Sequence, residues 1–462
     1  MPKTTECLYK SHNRHPEIHE QNRHSSHDYP TVYKDKAPMT QLRVLIAGAG
    51  IAGNALAFWL SRLGHSVTVV ERHPGLRDAG LQIDLRGAGI EVLRKMGLED
   101  AFRHKSVHEE GVRIVGRSGR QWAYFPANRS GQGLQSFSTD FEIMRGDLCR
   151  LLYDASKERV QYVFGTTVDT IQNSDTAVDV VFSNGTNARY DMLVGADGQG
   201  SRTRKMILEP GAPDPFQSLG MCTAYFKMPR PMPEGGKFLA SAYIAPGRRG
   251  LMTRRHSPDE MQAMMSCSLD GAMKTAEKGD VEQEKKAFAQ VFQGAGWETD
   301  DILSAMTHAE DFYCERLGLV QMESWSSGRV TLLGDAAYCP SALTGMGTTA
   351  AMVGAYVLAG EIGKKTVGGR TSSSQAISVA LKSYEDILRP FTDQLQKGLS
   401  DGKNVWSMFP TSAWGILVFN CIVAVAAFLR LDVIAQWILR EDIKGWELPD
   451  YEEMVKGREV EE

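Results

Sequence analysis

The sequence predicts an α/β fold, with a parallel-sheet domain interleaved with an antiparallel sheet and C-terminal helices after both. Three observations predict it. A short apolar run at 42–47 enters a glycine-rich turn and then an Ala- and Leu-rich stretch. Two later apolar runs, 190–196 and 329–333, each end in a Gly/Asp pair. Between them, Met221–Met228 and Met261–Leu269 alternate in polarity, as strands of a half-covered antiparallel layer do. With 462 residues, two or three domains are expected.

Each element follows in order. Residues 1–40 carry His12, His15, His19, His24 and His27 among Asn, Arg, Ser and Pro, with no regular period. They read as a disordered polar extension, with metal binding through imidazole as the alternative. Leu42–Ala47 reads as a buried strand, Asn54–Leu63 as a helix, and His65–Val70 as a second strand ending at Glu71. This is a β-turn-α-β unit. A small-residue helix is expected over Thr348–Ile362, and Tyr384–Leu399 has helical spacing. Trp414–Leu429 is an apolar run of 16 residues with Asn420 inside; Arg430 and Asp432 interrupt it before Val433–Leu439. A spanning helix wants roughly 20 apolar residues. A docked or interfacial helix is therefore favoured over a transmembrane span, with peripheral membrane contact through 414–439 as a candidate.

Composition narrows the function. Lys plus Arg is 52 and Asp plus Glu is 56, a net charge of −4, which excludes a broadly basic nucleic-acid binder. Seven widely spaced cysteines form no CxxC pair, so no zinc ribbon or thioredoxin-type site is expected. No signal peptide is visible, and the expectation is a reducing, cytoplasmic compartment, with membrane association as the variant. No Ser-His-Asp or His-metal cluster stands out, so neither a protein nucleophile nor a metal site is assigned.

The glycine turn carries the first chemistry. Gly48 permits the tight turn, Gly50 lets the backbone approach a pyrophosphate, and Gly53 lets helix and strand pack closely. The helix start offers free N–H groups and a positive dipole end. Glu71 ends the next strand, placed to accept from ribose hydroxyls. The unit is Rossmann-like, and by itself does not separate NAD from FAD.

Two further motifs separate them. Asp191-Met-Leu-Val-Gly-Ala-Asp197-Gly198, continuing to Ser201 and Arg204, resembles the second, "DG", fingerprint of flavin monooxygenases. Leu333-Gly334-Asp335-Ala-Ala337, with Pro340 and Gly345-Met-Gly347, resembles their third, "GD", fingerprint. Arg145-Gly-Asp-Leu148, between the glycine turn and the second fingerprint, resembles the family's arginine-bearing helix start. The order and spacing are similar to those of the FAD-dependent aromatic hydroxylases, the group A flavoprotein monooxygenases. Gly80–Gly87 resembles their tetracycline- and polyketide-hydroxylating branch. Where the family often has histidine after Gly-Asp-Ala-Ala, this chain has Tyr338.

The resemblance implies an FAD-binding domain at 41–119, 140–215 and 318–365, a substrate domain at 120–139 and 216–317, and a helical region at 366–462. It implies that Asp335 bonds a ribityl hydroxyl, that Gly345 and Gly347 admit the pyrophosphate and flavin edge, and that Arg145 sits by the adenosine–pyrophosphate part. Arg72 becomes a candidate for adenine stacking, and Asp84 for the flavin side. Tyr225 and Lys237 become candidates for substrate contact. The implied chemistry is reduction of FAD by NADPH or NADH, a flavin C4a-hydroperoxide formed with O₂, and oxygen transfer to an aromatic or polyketide-like small molecule. Hydroxylation leads over epoxidation or Baeyer–Villiger insertion. A flavoprotein dehydrogenase or oxidase on the same fold, and a non-catalytic flavin-binding, membrane-docked redox protein, are the alternatives.

Overall fold

The computed structural model describes residues 41–77, 80–127, 140–366, 373–397, 399, 410–430 and 443–455. The histidine-rich extension, residues 128–139 and the 431–439 end of the apolar run lie outside the described residues.

Arg43–Ala47 is a central strand of a six-stranded sheet ordered Ser326–Ser327, Val330–Leu332, Met192–Gly195, Arg43–Ala47, Ser66–Glu71 and Gln161–Phe164. Every pairing is parallel except that of the two-residue Ser326–Ser327 edge. The pleat sends alternate side chains to opposite faces. Val44 and Ile46 join the core under the helices Ile51–Arg62 and Gly347–Thr366. Leu45 and Ala47 instead meet Val178, Val180 and Tyr190 of a three-stranded antiparallel meander over Val168–Tyr190. A strand covered on both faces must be apolar at nearly every position, which is why 42–47 shows no alternation.

The second sheet has seven strands, in the order Tyr313–Val320, Phe216–Pro229, Glu260–Ser268, Arg249–Arg255, Leu239–Ala245, Gly111–Val115 and Gln121–Pro126. All its pairings are antiparallel except that of Leu239–Ala245 with Gly111–Val115. The sequence boundary at 119 places Gly111–Val115 with the first domain, yet the strand pairs into this sheet. Five residues of mixed apolar chain do not identify their sheet. Likewise 318–320 continue the outer strand of this sheet.

The two faces of this sheet differ. Ala224, Phe226, Met265 and Cys267 pack against Phe288, Phe292 and Met306 of the helices Val281–Phe292 and Thr299–His308. The register places Tyr225 between Met264 and Tyr313, and Thr223 between Ser266 and Glu315, on the opposite face.

A buried polar network ties the sheets together. Arg254 donates to Glu109 at 2.9 and 3.0 Å and also to Glu142, which accepts from the Gln82 amide. Gln262 accepts from the Gln82 N–H at 2.8 Å and donates to Gly80 O at 2.7 Å. The two carboxylates outweigh the cost of burying the Arg254 guanidinium, whose pKa is raised.

Ser373–Gln396 packs along Gly347–Thr366. The apolar run forms the helix Ala413–Phe428, which rests on Gln121–Pro126 with Ile416 and Asn420 buried. Trp414, Val418, Ile422, Val425 and Phe428 remain exposed. Among the described residues, no helix is long and apolar enough to cross a membrane.

Removing one partner of a buried ion pair strands the other charge, at a cost of about 3–5 kcal/mol. Arg254→Met is expected to lower the thermal midpoint by several degrees. Lys382→Met, which breaks the exposed pair with Asp386, should leave it within experimental error. Equal effects in a melting experiment would contradict the assigned role of the network.

Candidate cofactor and active site

The three fingerprint loops leave neighbouring strands at the same end of the parallel sheet. The Ala196 N–H donates to Ala47 O at 2.8 Å, and the Leu333 N–H to Gly195 O at 2.9 Å. Ligands of open α/β sheets bind at this carboxyl end. Gly48 has φ +112°, and a Cβ there would lie 2.5 Å from Ala196 O. A Cβ on Gly53 would lie 1.9 Å from Gly48 O. At Gly50, by contrast, a Cβ would meet nothing nearer than an Arg145 nitrogen at 3.9 Å. Two glycines thus close the turn, and the third leaves its outer side open. Glu71 accepts from the Ala49 N–H and the His73 N–H, each at 3.0 Å, which fixes its carboxylate against the turn.

Asp197, at the head of the second fingerprint, is used internally. It accepts from Ser201 Oγ, Thr203 Oγ1 and the N–H groups of Arg202 and Thr203, so it organises the start of the helix Arg202–Ile207. Arg204, fully buried, donates to Ala336 O at 3.0 Å, Gln199 O at 2.7 Å and Asp214 at 3.1 Å. One guanidinium therefore holds the second fingerprint loop to the third. Arg204 stands in the quoted motif, but its spacing alone gave no sign of this role.

The third loop turns through Gly345 at φ +65° into the helix Gly347–Thr366. A Cβ on Gly347 would lie 3.9 Å from an Asp335 carboxylate oxygen, and one on Gly345 would lie 4.0 Å from Asp84. Asp84 also accepts from Arg86 Nε at 2.5 Å. Asp335 opens to solvent along a cleft yet is ringed by protein. That enclosure raises its pKa, and Arg145 opposes the rise. Arg145 begins the helix Arg145–Asp154 and is in electrostatic reach of Asp335, Glu315, Tyr313 and Arg77.

The polar face of the second sheet meets this cleft. Tyr225 is buried, with its ring 6.5 Å from that of Tyr313, and the two line a small cavity with Gly80, Gln262 and Met264. Arg77 lies 5.4 Å over the Tyr313 ring. Burial, then Glu315, pushes the Tyr313 hydroxyl up to about 12 and moves Tyr225 in the same direction. Glu315 is pushed up to about 7 by burial and then by Asp335. Glu315 and Tyr313 escaped the sequence reading, because only the register of Tyr313–Val320 against Phe216–Pro229 brings them in, and Arg77 escaped it because its contact with the Tyr313 ring is long-range.

Arg72 is exposed next to Glu71. Lys237 sits in an exposed loop, 3.3 Å from Glu110. Tyr338 turns into the core: its ring packs on Trp325, its hydroxyl is 3.3 Å from that of Tyr384, and it fills the notch left by Gly354. Among the described residues, no group of three or more His, Cys, Asp or Glu side chains is placed to hold a metal.

A dinucleotide fits these residues. The open side of Gly50 looks onto an Arg145 nitrogen at 3.9 Å, the Ile51–Arg62 helix start has no side-chain cap, and Arg145 is in electrostatic reach of the accessible Asp335 carboxyl. Fold and cleft together define a flavin-dependent oxidoreductase. The chain belongs to the FAD binding domain family, whose sequence profile matches residues 41–397.

It is 46% identical over 431 residues to the FAD-dependent monooxygenase asL4 of Sarocladium schorii, covering 90% of this chain and 100% of that one. It is 41% identical over 403 residues to the flavin-dependent monooxygenase eupH of a Phoma species, covering 84% and 93%. The crystal structure of the tetracycline destructase Tet(51) superposes with a TM-score of 0.69 at 28% identity, covering 90% and 100%. The activity is that of an FAD-dependent monooxygenase of the group A type.

Asp335→Ala is expected to leave a folded protein with little bound flavin, read as the 450 nm absorbance per mole of chain. Gly50→Val should do the same by occupying the open side of the turn. Full flavin occupancy in both variants would remove these loops from the cofactor site.

Proposed function

We propose that the protein uses NADPH or NADH and O₂ to hydroxylate an aromatic or polyketide-like small molecule. The observation that carries this reading is the polar sheet face, where Tyr225, Met264 and Tyr313 turn towards the cleft that holds Asp335 and Arg145. The relatives support it: Tet(51) is by name a tetracycline destructase, and tetracycline is a fused-ring polyketide.

Bound FAD supplies the electron transfer and the dioxygen chemistry. The chain's own residues bind, orient and exclude water. Gly50, Arg145 and the start of Ile51–Arg62 would hold the pyrophosphate, and Glu71 the adenosine ribose. Asp335 would accept from a ribityl hydroxyl, while Gly345, Gly347 and the Gly347–Thr366 helix start would face the flavin edge. A positive dipole end there stabilises negative charge on the reduced ring. Asp84, close to Gly345, would border that edge. The rings of Tyr225 and Tyr313 and the thioether of Met264 give a substrate wall that is apolar in body and polar at the tips. Such a wall excludes water from the reacting centre.

A second reading concerns location. The exposed stripe from Trp414 to Phe428 favours a peripheral membrane contact beside the catalytic role. Flotation with liposomes, lost on exchanging Val418, Ile422 and Val425 for Ser, would support it.

Turnover in ¹⁸O₂ with an aromatic or polyketide substrate is expected to place one ¹⁸O atom in the product. Substrate-stimulated NAD(P)H consumption with unlabelled product would instead indicate a dehydrogenase or oxidase. Tyr338→Phe should keep the stimulated rate within about threefold, because a core hydroxyl makes no contact specific to the transition state. A loss of several hundredfold would place Tyr338 in the active site.

A further inference from the structure

We propose that Glu315 is a residue of the cofactor cleft which must carry a proton for FAD to bind tightly, so that cofactor binding and proton uptake are coupled. The inference rests on the reading of Asp335 and Arg145 as FAD contacts. Glu315 lies on Tyr313–Val320, opposite Thr223, and faces the cleft from the second sheet. The groups in reach of it come from several elements. Asp335 belongs to the third fingerprint loop, Arg145 to the helix it begins, and Lys278 to the segment before Val281–Phe292. Tyr313 and Tyr225 are the tyrosines of the same sheet face.

Two carboxyl groups thus lie in electrostatic reach of each other and of Arg145 and Lys278, along a cleft where Asp335 meets solvent. Asp335 must be ionised to accept from a ribityl hydroxyl at full strength. A second carboxylate beside it is disfavoured by burial and by like charge. A pyrophosphate adds two negative charges at Arg145, the cation that otherwise steadies both acids. The arrangement balances best with Asp335 charged and Glu315 neutral.

The sign follows from linkage. Burial, and then the neighbouring Asp335, push Glu315 up to about 7 in the protein without FAD. The incoming phosphates raise that value, so the bound state holds more protons than the free state. Affinity is then fully present below pH 7 and falls above it, by up to about tenfold per pH unit for one linked proton.

The experiment dilutes the full-length holoenzyme and reads released FAD by its fluorescence between pH 6 and 9. The wild type is expected to weaken above pH 7. Glu315→Gln keeps the neutral shape, so it should show a flat profile and hold FAD about tenfold more tightly than the wild type at pH 8.5. Parallel wild-type and E315Q profiles would overturn the proposal. So would E315Q being weaker at every pH, because Glu315 would then be a direct carboxylate acceptor.

Should E315Q not fold, the wild type still decides the matter. Adding FAD to deflavinated, weakly buffered protein near pH 7.5 should take up a substantial fraction of a proton per FAD bound, and no uptake would overturn the proposal. Asp335→Ala separates the two ideas. If it retains FAD at all pH values, the cofactor reading fails, whatever the behaviour of Glu315.

Discussion

The site depends on how closely backbone can approach backbone at the end of the Arg43–Ala47 strand. The helix that follows can lie against the sheet only because Gly53 has no side chain to meet Gly48 O, and Gly48 none to meet Ala196 O. That contact sets the distance between the first and second fingerprint loops. Arg204 then sets the distance between the second and third, through its bonds to Gln199 O and Ala336 O. With these two spacings fixed, the helix starts at Ile51 and Gly347 and the Arg145 side chain converge without any of them needing a special conformation. A bulky residue at either glycine would move whole elements, since neither obstacle is a side chain that can rotate away.

The second sheet contributes in a different way. Its helix-covered face is apolar and its cleft face is polar, so a slip of one residue would exchange them. Burial of Phe226, Met265 and their neighbours under the Val281–Phe292 helix makes such a slip expensive. The Arg254 network adds direction to that adhesion. A buried guanidinium held by two carboxylates tolerates little displacement, and it joins the strand carrying Arg254 to the Gln82–Asp84 segment beside the cofactor cleft. Hydrophobic area supplies the strength of attachment and the charged network its geometry.

The legibility of the sequence followed the range of the interactions. Gly48, Gly50, Gly53 and Glu71 were readable because a turn, a helix start and the next strand lie within one short unit. Asp335 and Gly347 were readable for the same reason, and the structure sets them near each other. The helix Gly347–Thr366 was legible but began one residue earlier and ended four residues later than expected. Gly111–Val115 falls within the 41–119 segment, yet it pairs with Leu239–Ala245, more than a hundred residues away, and with Gln121–Pro126. Glu315 was invisible for the corresponding reason: a glutamate near the start of a strand is unremarkable until register puts it opposite Thr223 and the fold puts Asp335 beside it. Lys237, a candidate for substrate contact through the resemblance, lies in an exposed loop 3.3 Å from Glu110. Tyr338 was noted as a departure from the family's histidine, and only the packing around Gly354 and Tyr384 shows that it faces the core.

Charge distribution connects these observations to function. The protein as a whole is slightly acidic, with a net charge of −4, and its cofactor is an anion. Long-range attraction therefore cannot account for binding; local arrangement must. Helix N-termini contribute fixed partial charges that no change of pH removes. Arg145 contributes a full charge, held between the first turn and the third loop, close enough to Arg77 that each cation makes the other costlier to bury. On the proposed reading, Arg145 would pair with the pyrophosphate while Asp335 would accept from the ribityl hydroxyls. A nucleotide with phosphate but no polyol would then leave Asp335 unmet, and a polyol without phosphate would leave Arg145 without that anion.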